Sequence, residues 1–253
     1  MTIDIVTIFP EFFAGPLQYG ILRRAQQSGL LQLAVHDLRQ FTDDRHRTVD
    51  DRPFGGEEGM VLKPEPMFQA VEHIRGLGRP PCKVILLSAQ GRLFRQPVAL
   101  QLAQEAGLIL LCGRYEGVDE RVAENLADME ISIGDFVLSG GEIAAAVVTD
   151  AVVRLLPGAL GNALSAVKES FTPPADQPGV GLLDYPHYTR PAQFREMAVP
   201  EVLLSGDHAR VRQWRRRKAL EKTWRHRPEL LAEVLLDDDQ QRWLMELEKE
   251  KVV

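Results

Sequence analysis

Residues 108–117 read Leu-Ile-Leu-Leu-Cys-Gly-Arg-Tyr-Glu-Gly, an unbroken apolar run that ends in a segment bracketed by two glycines. An apolar run such as Leu108–Cys112 is typical of a strand that is buried on both faces, as in a parallel sheet. Gly113 and Gly117 predict a tight turn where that strand ends. We therefore expect a central parallel strand with a glycine turn at its carboxyl end.

A second glycine-rich passage, residues 131–141, leads into Glu142–Leu156, which is apolar on nearly every face. This pattern predicts a helix that is buried in the interior of the protein. Ser139 and Glu142 have the S-x-x-E spacing of a capping box, which predicts that the helix begins at Ser139.

Two glycine-rich turns near one strand end and one helix start predict a pocket built from main-chain groups, because glycine lets a backbone approach a ligand closely. The G-x-G-x-x-G fingerprint of dinucleotide sites and the G-x-x-x-x-G-K-[ST] phosphate loop do not occur in the sequence. An adenosine that carries no phosphates, such as S-adenosylmethionine, suits a pocket of this kind. On spacing alone, two tight turns in an α/β sheet are the stronger interpretation.

The composition, with 45% hydrophobic and 26% charged residues among 253, is that of an ordinary globular protein of one or two domains. No apolar run reaches the roughly 20 residues that span a bilayer, and Met1–Val6 lacks the basic start of a signal peptide. We therefore expect a cytoplasmic protein without a membrane partner. Only Cys82 and Cys112 occur, without metal-ligand spacing, so we expect neither a disulfide nor a zinc site.

The net charge of −6 argues against a nucleic-acid binder, but the distribution of charge reverses this. Ser205–Pro228 holds nine basic residues and two acidic ones, a local charge of +7, so the rest of the chain carries −13. A confined basic segment on an acidic body predicts a phosphate-binding surface. A solvated helix surface is the alternative, and it is the commoner one for an isolated charge run. Trp214 and Trp224 share this helix with Val211 and Leu220, so we expect both to pack in the core.

Strand and helix patterns alternate through residues 1–156, which predicts an α/β domain with a mostly parallel sheet. The polar residues 41–59 predict a long loop, and loops of that length are usually functional or disordered. Residues 159–181 lose periodicity and gather proline and glycine, which predicts a linker, and helical patterns return after Pro200. The other predicted elements are strands at Ile3–Phe9, Leu30–Val35 and Lys83–Ser88, and helices at Pro10–Ser28, Met67–Arg75, Gln96–Glu105 and Asp207–Trp224.

Two long motifs, Gly113–Arg121 and Ser132–Glu142, resemble those of the bacterial tRNA (guanine-N1)-methyltransferase family of the SPOUT superfamily. Three further motifs follow the same family in the right order, at Asp44–Pro53, Leu182–Pro191 and Val202–Gly206. The resemblance covers nearly the whole chain. It implies a SPOUT-type N-terminal domain at 1–160 with a deep trefoil knot, a linker at 161–175, and a small helical tRNA-binding domain at 176–253. Knots are otherwise very rare in proteins.

The resemblance also implies an activity, the transfer of a methyl group from S-adenosylmethionine to N1 of guanosine 37 in tRNA. Family members are homodimers whose active site takes cofactor loops from one subunit and the linker and C-terminal domain from the other. Magnesium enters as an expectation through the resemblance alone, without a ligand set. The implied cofactor residues are Leu87, Ser88, Gly113, Tyr115, Glu116, Gly117, Ser132, Ile133, Gly134, Asp135, Phe136, Val137, Leu138, Gly140 and Gly141.

Methylation of guanine at N1 removes a proton from a ring nitrogen while negative charge develops on O6, so a carboxylate base and a nearby cation suit the reaction. Arg154 is a charge on the apolar helix, and an ordinary ion pair with Asp150, four residues earlier, is an equally good interpretation from sequence. The matching arginine of the family is catalytic, which favours function. Glu169 occupies the position of the family's proposed aspartate base, with a side chain one methylene longer.

The resemblance places Asp50, His187 and Arg190 at the substrate, and the basic segment adds Arg215, Arg216 and Arg217 as phosphate contacts. The expected substrate-binding residues also include Arg114, Ser165 and Ser170. The sequence departs from the family at Glu57 and Glu58, where glycine-rich sequence is expected, at Ala89 in place of proline, and at Glu196 in place of glycine. These departures keep two alternatives open. One is a non-catalytic RNA-binding protein with the SPOUT fold, and the other is a SPOUT methyltransferase with a different RNA target.

Overall fold

The computed structural model describes residues 1–56, 58–161, 169–173 and 181–251. The chain divides into two compact units, Met1–Asn162 and Ala163–Val253. None of the helices in the described ranges has both the length and the apolar character that crossing a bilayer requires.

The first unit is built on a five-stranded sheet in which every neighbouring pair is parallel. Its strands are β1 (Thr2–Thr7), β2 (Gln32–Asp37), β5 (Cys82–Leu93), β6 (Gly107–Cys112) and β7 (Met129–Ser132), and they lie in the order β2-β1-β6-β5-β7. Strands β3 (Asp50–Asp51) and β4 (Val61–Leu62) form a separate hairpin. Its helices are α1 (Gly20–Gln27), α2 (Pro64–Gly76), α3 (Gln96–Leu102), α4 (Glu120–Asn125) and α5 (Glu142–Val153).

Both faces of the sheet are covered, which explains why its central strand β6 has no polar side chain. All six residues of β6 are buried, as the sequence predicts. Successive residues of this strand point to opposite faces. Leu108 and Leu110 belong to the core on the α5 face, and Ile109 and Leu111 to the core on the α2 face. The prediction of an α/β unit with a parallel sheet is confirmed. The deep trefoil knot stays a prediction, because the pairing of strands does not show how the chain is threaded.

Several boundaries differ from the sequence-based expectation. The predicted helix at Pro10–Ser28 consists of two 3₁₀ turns followed by α1, because Gly15 and Gly20 interrupt it. The short strand β7 and the helix α4 were not predicted. The capping-box prediction is wrong, since α5 begins at Glu142 after Gly141, without a side-chain cap. The reason is that the Glu142 carboxylate accepts hydrogen bonds from Thr7 and Arg114 instead of turning back to Ser139.

The second unit is largely helical in its described part. It contains a two-residue hairpin of β8 (Gln193–Phe194) and β9 (Met197–Ala198), then α6 (Glu201–Leu204), α7 (His208–His226), a 3₁₀ turn at Pro228–Ala232 and α8 (Asp238–Lys251). Asp207 caps α7 by accepting hydrogen bonds from the main-chain N–H groups of Ala209 and Arg210, which lower the pKa of its carboxyl. Leu183 N–H donates to Thr223 Oγ1 at 2.9 Å, which fixes the segment before β8 to α7.

Candidate functional site

A cleft of about 240 Å³ lies where β6 and β7 end, beside residues 86–90 of β5. Carboxyl ends of parallel strands are the usual place for ligand sites in α/β sheets. Three segments form its walls, Leu86–Gln90 from β5, Gly113–Val118 after β6, and Glu130–Gly141 from β7 to the start of α5. Within the last of these segments, Asp135 alone does not line the cleft.

The first wall is an excursion inside β5. Leu87 pairs with Ile131 of β7, and Arg92 pairs with the same Ile131, so the four residues between them leave the ladder. Gly91 permits this excursion, because a Cβ at that position would lie 2.4 Å from the main-chain nitrogen of Ile131. Residues 88–90 are thereby carried over the cleft.

The second and third walls are held together through main-chain groups. Gly141 N–H donates to Gly113 O at 2.9 Å, and Arg114 forms an antiparallel bridge with Gly140. A Cβ on Gly141 would lie 2.8 Å from Cys112 Cα, so glycine is required for this close approach. The two glycine turns predicted from sequence are therefore in direct contact.

A buried ion pair supports these turns from behind. Glu142 is 1% exposed, and its carboxylate accepts from Thr7 Oγ1 at 2.7 Å and from Arg114 Nε at 2.9 Å. Arg114 also donates to Ser139 O at 3.0 Å and stacks over the ring of Phe9. One guanidinium thus joins the second wall, the third wall and the start of α5.

The charges around the cleft are acidic. Glu116, Glu120 and Glu130 line it, and Arg114 is the one basic side chain among its described lining residues. Because Arg114 is committed to Glu142, none of the described lining residues offers a free cation to a phosphate group. Cys112 lies behind the cleft, where burial raises the pKa of its thiol well above its usual value, so it stays neutral and offers no nucleophile.

The comparison with known proteins decides the family. A family model described as tRNA (guanine-1)-methyltransferase TrmD matches residues 1–233. The chain belongs to this family. Relatives named tRNA (guanine-N(1)-)-methyltransferase include one from Koribacter versatilis, which is 58% identical, with 98% of each chain covered. Others come from Geobacter metallireducens, 53% identical with 98% of each chain covered, and Geobacillus kaustophilus, 51% identical with 99% and 100% covered.

Membership makes this chain a methyltransferase with the SPOUT-type α/β fold. Of the cofactor residues implied by resemblance, all except Asp135 line the cleft. Sequence reasoning did not identify Gln90, Glu120 and Glu130, which line it too. A carboxylate in the short apolar strand β7 was the available signal for Glu130. Thr7 was also missed, and nothing local in the sequence points to it.

Arg154 lies elsewhere in the first unit. It is the C-cap of α5, whereas Gly141 at the start of the same helix lines the cleft. A helix of 12 residues is about 18 Å long. Arg154 borders a separate groove with Leu17, Val147 and Asp150, and its main-chain N–H donates to Asp150 O. The structure does not bring Arg154 and the cleft of the same chain together.

Asp50 is connected to the cleft through main-chain pairing. It lies in β3 opposite Leu62 of β4, and Leu62 N–H donates to Gly117 O at 3.0 Å. The neighbouring Glu116 N–H donates to Met60 O at 3.0 Å. The β3–β4 hairpin, which contains the end of the Asp44–Pro53 motif, is therefore attached to the glycine turn that forms the second wall.

The remaining predicted residues belong to the second unit, apart from Ser165 and Glu57, which lie outside the described residues. Ser170 Oγ accepts from Asp184 N–H, and His187 contacts the Asp184 carboxylate at 2.7 Å. Arg190 is exposed, and Glu169 lies in the short described segment 169–173. Arg216 pairs with Asp237 and Arg217 with Glu246, whereas Arg215 stacks over Tyr185. Trp214 and Trp224 are half-buried.

No group of three or more His, Cys, Asp or Glu side chains suited to a metal ion occurs within the described part of the chain. The acidic residues around the cleft are separate carboxylates rather than a ligand cluster.

Proposed function

We propose that this chain transfers a methyl group from S-adenosylmethionine to N1 of guanosine 37 in tRNA. The observation that carries the proposal is a family match over residues 1–233 in a chain whose cleft is built from main-chain groups and carboxylates. An acidic cleft without a free cation suits a sulfonium ligand that has no phosphate. Glycine turns leave main-chain donors and acceptors for the adenosine. A tRNA substrate makes the cytoplasm the expected location.

S-adenosylmethionine supplies an activated methyl group when bound, so the protein needs only to bind, orient and move one proton. We assign its binding to the three walls of the cleft. Glu169 takes the proton from N1 of guanine, and Arg154 stabilises the charge on O6. Asp50, Arg114, Ser165, Ser170, His187, Arg190, Arg215, Arg216 and Arg217 form the substrate surface.

We further propose a homodimer with a shared active site. Arg154 lies at the far end of α5 from the cleft of its own chain, so a site that contains both takes Arg154 from a second copy. Ile143 and Val147 lie one turn apart on α5 and remain 47% and 43% exposed, although they are apolar. A second copy covering this helix would remove them from water.

One assay tests the proposal. Labelled S-adenosylmethionine is incubated with the protein and an unmodified tRNA transcript carrying guanosines at 36 and 37, and methylation is mapped by reverse transcription. A stop at position 37 supports N1 methylation there. A stop elsewhere points to a SPOUT enzyme with a different RNA target, and cofactor binding without transfer points to an RNA-binding protein.

A further inference from the structure

A second cavity, of about 390 Å³, lies wholly within the second unit. Aromatic side chains of Tyr185, His187 and Tyr188 line it together with Arg215 from α7. Apolar side chains of α6 and polar groups of Thr189 and Arg190 complete the lining. We refer to this space, between residues 185–192 and helices α6 and α7, as the aromatic cavity.

The rings in and beside the aromatic cavity lie close together and are tilted relative to one another. The Tyr185 and His187 ring centres lie 4.7 Å apart, and the guanidinium carbon of Arg215 lies 4.8 Å from the Tyr185 ring centre. Tyr188 lies 6.4 Å from Trp214, ring centre to ring centre, and keeps 50% of its surface exposed. Aromatic rings and a guanidinium plane at such separations are the surfaces on which nucleobases stack.

Arg215 differs from its neighbours on α7 in its contacts. Arg216 pairs with Asp237 and Arg217 with Glu246, so their charges are balanced within the unit. Across the described residues, no carboxylate pairs with Arg215, and its guanidinium lies over the Tyr185 ring. A cation with no acidic partner is available to an electron-rich ligand.

We propose that the aromatic cavity binds one unpaired nucleobase of the tRNA, at a position other than guanosine 37. Tyr188 and Arg215 supply the stacking surfaces, and Thr189 and Arg190 supply hydrogen-bonding groups at its edge. The exposed basic residues of α7 bind the phosphates that flank this base. This inference rests on the proposed function, because it is tRNA that brings the base to the cavity.

The test compares tRNA affinity of the full-length variants over a salt series. Tyr188→Ala should weaken binding by about tenfold, the usual effect of losing one stacking ring, with an unchanged salt dependence because no phosphate contact is lost. Tyr188→Phe should bind like the parent protein. Tyr19→Ala, which removes a 72% exposed ring of the first unit, is the matched control and should also leave tRNA affinity unchanged.

Arg215→Lys separates base stacking from phosphate binding, since lysine keeps the charge but not the planar guanidinium. We expect Arg215→Lys to lose most of the affinity that Arg215→Gln loses. Parent-like affinity of Arg215→Lys would show a phosphate contact and overturn the assignment of Arg215. Thermal unfolding followed by tryptophan fluorescence verifies that each variant is folded.

Chemical probing of the tRNA identifies the base. With the parent protein, one unpaired base outside position 37 should become protected, and Tyr188→Ala should abolish that protection. Parent-like affinity and protection in Tyr188→Ala would overturn the inference. A change of oligomeric state in Tyr188→Ala would also overturn it, because it would show that a second copy of the chain occupies the cavity. Transfer to guanosine 37 by the parent protein is measured separately, so either proposal can fail without the other.

Discussion

At the scale of single residues, the buried Glu142 carboxylate connects the sheet to the cleft. Burial of an ionised carboxylate is unfavourable unless hydrogen bonds and an opposite charge compensate it. Thr7 and Arg114 provide both, at 2.7 and 2.9 Å. Arg114, which resemblance assigns to the substrate, therefore has a structural role that does not depend on RNA.

Replacing Arg114 by methionine should lower the free energy of unfolding by about 3 kcal/mol, because Glu142 is left buried and unpaired. Thr7→Val removes the hydrogen bond to the same carboxylate, together with the one that Thr7 Oγ1 accepts from Phe9 N–H, and should cost about 1–2 kcal/mol. Adding Glu142→Gln to Arg114→Met should restore part of the loss. Urea unfolding of the four proteins measures these differences. Equal stability of Arg114→Met and parent would contradict the role assigned to the pair.

Glu169 is the residue on which the proposed chemistry depends most. Glu169→Gln should reduce methyl transfer by a factor of roughly 10²–10⁴, the usual contribution of a positioned base. Affinities for tRNA and cofactor should be nearly intact, because the carboxylate acts on a proton and not on phosphate. Glu169→Asp should stay active.

The decisive measurement is the single-turnover rate at saturating tRNA as a function of pH. If Glu169→Gln transfers at the parent rate throughout the profile, Glu169 is not the base, and Asp50 is the next candidate.

At the scale of elements, the two glycine turns of the cleft differ in what they tolerate. A Cβ on Gly141 would lie 2.8 Å from Cys112 Cα, whereas a Cβ on Gly113 meets its nearest neighbour, Val118, at 3.4 Å. Gly141→Ala should therefore separate the walls and weaken S-adenosylmethionine binding, while Gly113→Ala should leave the fold intact. Calorimetric titration and thermal unfolding of both variants test this difference. If Gly141→Ala binds the cofactor as the parent protein does, cofactor binding does not require the close approach of Gly141 to Cys112.

Helix α7 shows which basic residues are available to RNA. Reversing Arg216 and Arg217 to glutamate would place like charges against Asp237 and Glu246, so any loss of tRNA binding would combine lost phosphate contacts with lost ion pairs. Arg210 and Arg212 are exposed, and they make no ion pair with the described carboxylates by distance. Arg210 and Arg212 are therefore clearer probes of phosphate contact than Arg216 and Arg217.

Arg210→Gln with Arg212→Gln should weaken tRNA binding and make it less dependent on salt, by up to about one counterion for each lost phosphate contact. Cofactor affinity should not change. Arg242→Gln, which alters an exposed arginine of α8 paired with Asp239, is the control. An unchanged salt dependence in the double variant would identify this end of α7 as a solvated surface.

The elements that sequence predicts well are those whose pattern is local. The apolar runs of β6 and of residues 84–87 in β5 identify buried strands because every position in these runs is buried. Strand β7 escapes prediction, since its four residues are too few for a pattern. The capping box at Ser139 fails because Glu142 bonds Thr7, which is 135 residues away. Glycine turns predict the cleft, but their direct contact depends on strand order, which no local pattern contains.

At the scale of the whole molecule, the position of Arg154 argues for assembly. The resemblance identifies Arg154 as catalytic, yet in its own chain it lies at the opposite end of α5 from the cleft. Sequence alone cannot reveal this separation, because it depends on where the helix begins in relation to the walls. The same helix carries the exposed apolar residues Ile143 and Val147. A shared site in a homodimer accounts for both observations.

Subunit mixing tests that arrangement directly. Gly141→Ala impairs the cofactor cleft and Glu169→Gln impairs the proposed base, so each homodimer should be nearly inactive. If each active site takes these residues from different chains, a mixed dimer contains one intact site and one doubly impaired site. Random exchange should then restore about a quarter of the parent activity, because half of the dimers are mixed and half of their sites are intact.

The control for subunit mixing uses a chain that carries both substitutions, mixed with the parent protein. Its mixed dimers hold two singly impaired sites, so activity should fall to about a quarter of the parent value for the same total protein, and not to a half. Size-exclusion chromatography with light scattering establishes the dimer and its exchange. Failure of the two single variants to complement each other, although exchange has occurred, would place cleft and base in one chain, since each mixed dimer would then contain only impaired sites.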